Sequence, residues 1–308
     1  MTTFKTLEEL QLGLSASAVR QAFAPFIAAD ASNWVSATRD RRLRTVSKAV
    51  RRGLAAVGGR GARNLEAVSS EYEDVWAAGY ARYDLARGGA KPVPWLFRGE
   101  KLMADMGGAA RFRNLILARA IAGLKPRTVL EVGCGNGINL LLLAGAFADV
   151  SFTGLELTES GWMAARNLQK GEALPAHLSG YAIAEQKDAR AFKRIDFQRG
   201  NAMRMPFADG QFDLVYTILS IEQMERIRAA ALREVARVTG KHLLNMEPFA
   251  EANSEAWRKF YVWSRDYFRG RIADMPQYGL EPLWATIDFP QETVLGAALV
   301  LSRKTAAA

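Results

Sequence analysis

The chain has 308 residues, 49% of them hydrophobic and 24% charged, which suits one large globular domain or two modest ones. A single cysteine excludes an intrachain disulfide, and one cysteine with two histidines argues against a structural zinc site, so no metal is expected. The net charge of +9 is unevenly placed: residues 1–70 carry 11 basic and 5 acidic side chains, the other 238 carry 30 and 27.

No apolar run approaches the ~18–20 residues that a membrane-spanning helix needs. The longest candidate, 138–150, is broken by Asn139, Gly145 and Asp149. The first residues carry Glu8 and Glu9 and lack a basic-then-apolar pattern. A secretory signal is therefore not expected, and the cytoplasm is the expected compartment.

Between Pro25 and Pro92 there is no proline, and the composition is rich in Ala, Arg and Leu, which reads as helix. Leu43, Val46, Val50, Leu54 and Val57 recur every three or four residues, predicting an amphipathic helix over 39–57 with a basic opposite face. Gly58 to Gly61 should end it. Nine basic residues fall between Arg39 and Arg63 with Asp40 the only acid. Such a run suits a solvated face first, then an anionic membrane or lipid surface, nucleic acid, or an acidic protein partner. A second helical run covers 64–86, and 88–94 reads as a hinge or loop.

From Lys125-Pro126 onward, short apolar runs alternate with helical stretches. The runs are 128–132, 152–157, 195–198, 212–217 and 243–246; helices are expected over 138–147, 160–169 and 223–238. This alternation predicts a parallel sheet covered on both faces. Two last runs, 282–288 and 294–301, lie too close together for anything but an antiparallel hairpin.

The most informative stretch is Glu131-Val132-Gly133-Cys134-Gly135-Asn136-Gly137, where an apolar strand enters three alternating glycines and then a helix. Such a loop lets the backbone approach a ligand and offers free N–H groups at the helix start. A dinucleotide fingerprint needs its third glycine one residue later, where Ile138 stands, which disfavours a nicotinamide reductase. Glu156 ends the next strand, placed to accept hydrogen bonds from a ribose diol. The segment from Gly200-Asn201-Ala202 through Phe212-Asp213-Leu214-Val215, and Leu232 to Val238 before strand five, complete a pattern running from about Val129 to Met246.

Together these motifs resemble class I S-adenosylmethionine-dependent methyltransferases of the type 11 family. The resemblance implies an α/β, doubly wound, seven-stranded sheet with the last strand antiparallel, a Rossmann-like methyltransferase fold. An N-terminal helical region (1–105, an acceptor lid) would precede a core (106–308) with an insertion at about 250–280. It implies S-adenosyl-L-methionine as donor and S-adenosyl-L-homocysteine as product. Glu131 with Gly133, Cys134, Gly135, Asn136 and Gly137 would hold the amino-acid end. Glu156 would hold the ribose, Leu157 the adenine face, Asn201 and Ala202 the adenine edge, and Ile218 the methionine end. Asn201 departs from the family's usual Asp; its carbonyl can still accept from the adenine amino group.

On the acceptor side, Ser220-Ile221-Glu222-Gln223-Met224 has Gln223 where many relatives have histidine. Of the two histidines, His177 falls in an insertion and His242 at the wrong end of the sheet. Glu222 and Glu247 are the carboxylates beyond strands four and five and the candidate catalytic groups. Thr217 to Ser220 lacks the Asn/Asp-Pro-Pro-aromatic stretch of nucleobase amino-methyltransferases. The aromatics of 251–278 and Tyr80, Tyr83, Trp95 and Phe97 are expected to cover the acceptor. The expected activity is methyl transfer to an oxygen or nitrogen of a small molecule, glycan or lipid. The alternatives are an RNA or protein methyltransferase docking through the basic helix, or a non-catalytic S-adenosylmethionine-binding module.

Overall fold

A computed structural model describes residues 3–57, 65–83 and 91–305. The expected helix stop at 58–61, with Arg60 and Arg63, the first part of the hinge (88–90) and the 306–308 tail lie outside these residues.

Three helices come first: α1 (Ala16–Phe23), α2 (Trp34–Val57) and α3 (Leu65–Ala77). The α1 helix is capped by Ser15, whose hydroxyl accepts from the Ala18 N–H at 3.2 Å. A hairpin follows, β1 (Val93–Phe97) and β2 (Glu100–Ala104). Its two turn residues, Arg98 and Gly99, both have positive φ, the geometry of tight hairpins that match the strand twist. The hinge reading of 88–94 therefore stops short, since β1 begins at Val93. Helix α4 (Gly107–Leu124) ends at left-handed Lys125, and Pro126 forbids its continuation.

The core then alternates β3 (Thr128–Val132), α5 (Ile138–Ala144), β4 (Ser151–Glu156), α6 (Glu159–Gln169), a short α7 (Ala176–Ser179), β5 (Asp196–Arg199), β6 (Phe212–Ile218), α8 (Arg228–Val238) and β7 (Thr239–Glu247). After α9 (Ala256–Arg265) come β8 (Leu280–Thr286), β9 (Gln291–Glu292) and β10 (Ala298–Lys304).

Seven strands form one sheet in the order β5-β4-β3-β6-β7-β10-β8. The first five run parallel; β10 lies antiparallel between β7 and β8. The fold is thus the α/β, seven-stranded, Rossmann-like arrangement, preceded by helices. Successive strand residues supply two different cores, as the period of two demands. Leu130, Val132, Val215 and Leu243 pack with Leu232 and Val235 of α8 on one face. Val129, Leu214 and Leu244 pack on the other with Phe112 of α4 and, from the N-terminal segment, Leu7, Val19 and Phe23.

The last hairpin differs from expectation. Its second strand starts at Ala298, not 294, because the intervening residues do other work. Gln291 and Glu292 leave to pair with Leu96 and Trp95, making a second sheet, β2-β1-β9. Buried Asn253 then clasps Gly296 from both sides, donating to its carbonyl (2.8 Å) and accepting from its N–H (2.9 Å).

Helix α2 also differs. Its inward face is polar: Thr38 and Thr45 are buried, Arg41 pairs with Glu292, and Arg52 donates to the Ser264 carbonyl. The apolar positions Leu43, Val46 and Val50 face solvent. The basic helix and the aromatic insertion meet here, with the Arg42 guanidinium over the Trp257 ring.

Candidate functional site

The order of strands reverses between β3 and β6, and a crevice opens at such a point beyond the strand ends. Here it is a cavity of about 230 Å³. The sequence candidates Glu131, Gly133, Cys134, Glu156, Leu157, Asn201, Ala202 and Ile218 all border it. Gly135, Asn136 and Gly137 lie just behind, in the wall.

The loop after β3 is built for close approach. Gly133, Gly135 and Gly137 all have positive φ. A β-carbon at Gly133 would stand 2.5 Å from Ser220 Cβ, and one at Gly135 2.3 Å from the Trp76 ring. Gly137 then starts α5, its carbonyl accepting the Leu141 N–H in the first hydrogen bond of the helix.

Glu156 fixes the loop's far side. Its carboxylate accepts from the Gly135 N–H (2.8 Å), the Thr158 N–H (2.9 Å) and the Thr158 hydroxyl (2.5 Å). Glu131 is buried; Asn139 Nδ2 (2.6 Å) and the Tyr216 hydroxyl (3.0 Å) donate to it. Burial pushes its carboxyl up to about 8, against those two hydrogen bonds. A cation entering the cavity would draw that proton off, which makes Glu131 a fit for an ammonium group. Asn201 Oδ1 accepts from the Met203 N–H at 2.9 Å, holding a tight turn with its amide nitrogen left over for a ligand.

The two acceptor-side carboxylates do not border the cavity. Glu247 accepts from the N–H groups of Ser220 and Ile221 (both 3.1 Å) and of Glu222 (3.0 Å). It therefore shapes the loop after β6, where Leu219 is held at φ +50°, uncommon for a side chain of its size. Burial lifts its carboxyl to about 7. Glu222 stands behind Gln223, whose amide donates to it at 2.6 Å, and its second oxygen is buried without a partner. Burial first, then the charge of Glu247, raises it to about 8. His177 is exposed on α7, and His242 sits at the opposite end of β7; neither borders the cavity.

Ser69, Tyr72 and Trp76 of α3, Arg113 of α4 and Ile227 border the cavity and escaped the sequence reading; Tyr83, expected over the acceptor, and Leu219, Ser220, Gln223 and Met224 of the stretch after β6 border it too. Arg113 Nε is buried with no partner, and the carboxylates it feels are Glu292, Glu222 and Glu247. The aromatic insertion is not part of this wall: Trp257, Phe260 and Trp263 of α9 lie elsewhere, and Trp95 and Phe97 are core. What brings α3 in is Glu73, which accepts from the Glu159 (2.7 Å) and Ser160 (2.8 Å) N–H groups at the start of α6. The Tyr80 hydroxyl donates to the Asn136 carbonyl (2.6 Å), and Asn136 Nδ2 to the Gly79 carbonyl (3.1 Å).

Residues 130–242 match the sequence profile of a family described as Methyltransferase domain. An O-methyltransferase, rstn1, of Aspergillus nomiae is 27% identical over 150 residues, 47% of this chain and 58% of that protein. Ajmaline N-methyltransferase of Rauvolfia serpentina is 30% identical over 114 residues, 37% of this chain and 33% of that protein. The match thus spans between a third and just over half of these relatives' lengths. Among solved structures, magnesium protoporphyrin IX methyltransferase from Synechocystis PCC 6803 with bound SAH superposes with a TM-score of 0.50 at 11% identity, covering 79% of this chain and 100% of that one. At that identity the likeness is one of fold.

Proposed function

We propose that this chain, whose residues 130–242 match a methyltransferase-domain family, moves the methyl group of S-adenosylmethionine to an oxygen or nitrogen of a small-molecule acceptor. The observation that carries this reading is the convergence of Glu131, Gly133 and Cys134 at the start of the glycine loop, Glu156, Asn201 and Ile218 on one cavity. A glycine-lined floor, a neutral buried carboxyl for an ammonium group and a strand-end carboxylate for a diol suit that donor.

When bound, the donor supplies an electrophilic methyl on a sulfonium; the methyl's bond to sulfur breaks as its bond to the acceptor forms, giving S-adenosylhomocysteine. The chain's residues position the two partners. Glu156 exchanges part of its backbone contacts for the ribose hydroxyls. Glu131 and the loop from Gly133 to Gly137 hold the amino-acid end, Leu157 flanks the adenine, and Asn201 and Ala202 meet its edge. Holding donor and acceptor in line can supply about 7–11 kcal/mol in favourable cases. No histidine borders the cavity, so the acceptor proton leaves to water or to the acceptor's own neighbouring group. Glu247 acts as a positioning residue through three N–H groups, and Glu222 acts through Gln223. The relatives' O- and N-methyl transfer to small molecules supports this acceptor class.

We read residues 1–105 as the lid. Tyr72, Trp76 and Tyr83 close one wall, and Arg113 beside them offers a cation to an acidic or carbonyl group of the acceptor. Docking of RNA or protein through the basic helix is less favoured, since Arg41, Arg42 and Arg52 are engaged within the molecule.

The test uses radiolabelled methyl donor, purified protein and an extract of source cells, with Glu156→Ala as control. Label in the soluble or lipid-extractable fraction, absent in the control, is expected. Label in the acid precipitate, erased by nuclease or protease, would overturn the small-molecule reading. Tight donor binding without turnover on any fraction would instead mark a binding module.

A further inference from the structure

Four of the large apolar side chains most exposed in the described residues lie along one line of a single helix. Val35, Leu43, Val46 and Val50 of α2 are 64%, 60%, 40% and 56% exposed. At 100° per residue they fall within one quadrant of the helix, and at about 1.5 Å per residue the stripe is about 22 Å long. A separate arc, centred about 130° round the helix, carries Thr38, Arg41, Thr45 and Arg52 and faces the protein. This orientation is the reverse of a helix that packs its apolar side on a core. It buries an ion pair and hydroxyls while leaving valines and a leucine in water.

The charges around the stripe say what covers it. Arg39 lies within it, Arg51 and Arg44 follow at about 120–140° from its centre, and Lys48 stands exposed on the far side, with Asp40 the only acid of the helix. Arg39, Lys48 and Arg51 have no carboxylate within 4 Å among the described residues, unlike Arg20, Arg98 or Arg237, which are ion-paired. A second copy of the chain meeting this face two-fold would bring Arg39 and its neighbours against their own copies. An aromatic hot spot of the kind that anchors protein partners is missing from the stripe. An aliphatic stripe on one side of an otherwise cationic helix fits a surface that offers hydrocarbon beneath negative charge.

We propose that α2 docks this protein onto an anionic lipid bilayer, lying in the interface with Val35, Leu43, Val46 and Val50 inserted and Arg39, Lys48 and Arg51 at the headgroups. The polar inner face then serves as the joint to the body: Arg41 pairs with Glu292 of β9, and Arg42 stacks on Trp257 of α9. The proposal stands apart from the methyl-transfer reading, because none of these outward residues borders the cavity.

Flotation of the full chain with vesicles tests it, using phosphatidylcholine alone or with about one-third phosphatidylglycerol. The chain is expected to float with the anionic vesicles only. Leu43→Gln with Val50→Gln should weaken binding at least tenfold. Arg39→Gln with Lys48→Gln and Arg51→Gln should weaken it about a hundredfold at low salt, the factor that three interfacial cations correspond to. Both variants should keep the wild-type melting temperature and affinity for S-adenosylhomocysteine, which separates loss of docking from loss of fold or donor site. Three results overturn the proposal: no flotation at low salt, flotation unchanged by Leu43→Gln with Val50→Gln, or self-association in sedimentation that those two substitutions abolish. Binding of a short RNA without binding of vesicles would also overturn it.

Discussion

At the scale of single residues, burial raises three carboxyls, Glu131 on the cavity and Glu222 and Glu247 behind the loop after β6. Glu131 and Glu222 sit at about 8 and Glu247 at about 7, each raised mainly by burial. A carboxyl raised in the folded state stabilises it fully below its unfolded value, near 4.5, and loses that contribution as pH rises through the folded value. Glu222, with one unpartnered oxygen and Glu247 and Glu292 as like charges, should show this most plainly. The melting temperature of Glu222→Gln should match the wild type near pH 5. It should exceed it at pH 8, by roughly 2–4 °C for each 1 kcal/mol recovered; a constant difference across that range would refute the assignment. Glu156→Ala removes an acceptor from the Gly135 and Thr158 amides as well as the proposed ribose contact. Calorimetry should show S-adenosylhomocysteine binding about 10–100-fold weaker, the range for charge-assisted hydrogen bonds. The glycine loop and Glu156 were legible in the sequence because glycine at three alternate positions and an acid at a strand end have few other uses. Arg113 was not, because nothing about an arginine inside a helix announces that its Nε is buried and alone.

At the scale of elements, local patterns located the strands well and the loops between them poorly. Strands β3 to β7 fall within a few residues of the expected runs, since each is a short apolar segment bounded by turn residues. The β1–β2 hairpin was missed although Arg98-Gly99 is a two-residue turn, because Pro92 and Pro94 read as linker. The outward turn of α2 was beyond reach: periodicity reveals that a helix has two faces, not which one meets the protein. Helix α3 depends on a long-range cap that sequence spacing cannot show. Glu73→Ala would strip the first N–H groups of α6 of their acceptor, at a cost of about 0.5–2 kcal/mol. Hydrogen exchange over 69–83 should speed up while β3 and β6 stay protected. Equal acceleration throughout would mean that α3 is part of the global core instead of a separately docking wall.

At the scale of the whole molecule, the N-terminal segment shares one core with the seven-stranded sheet. Phe23 is fully buried edge-on against Trp95 (5.3 Å) and Phe112 (5.7 Å), in the same core as Val129 and Leu244. Phe23→Ala should cost about 3–5 kcal/mol, measured by denaturant unfolding. Removal of residues 1–27 should give insoluble protein, while a soluble, donor-binding product would show that the rest of the chain folds without α1. The seven-stranded sheet itself was legible, since alternating strand and helix allow few topologies. The insertion of β10 between β7 and β8 has a consequence in time. When β8 leaves the ribosome, the only neighbour it has in the sheet has not yet emerged, because β10 is 18 residues further on. At about 5–20 residues per second that is a wait of roughly 1–4 s. Until residue 304 has been made, β7 also presents a bare edge, and β9 reaches β1 only in the same interval. Nascent chains halted before residue 298 should therefore be the ones that chaperones hold.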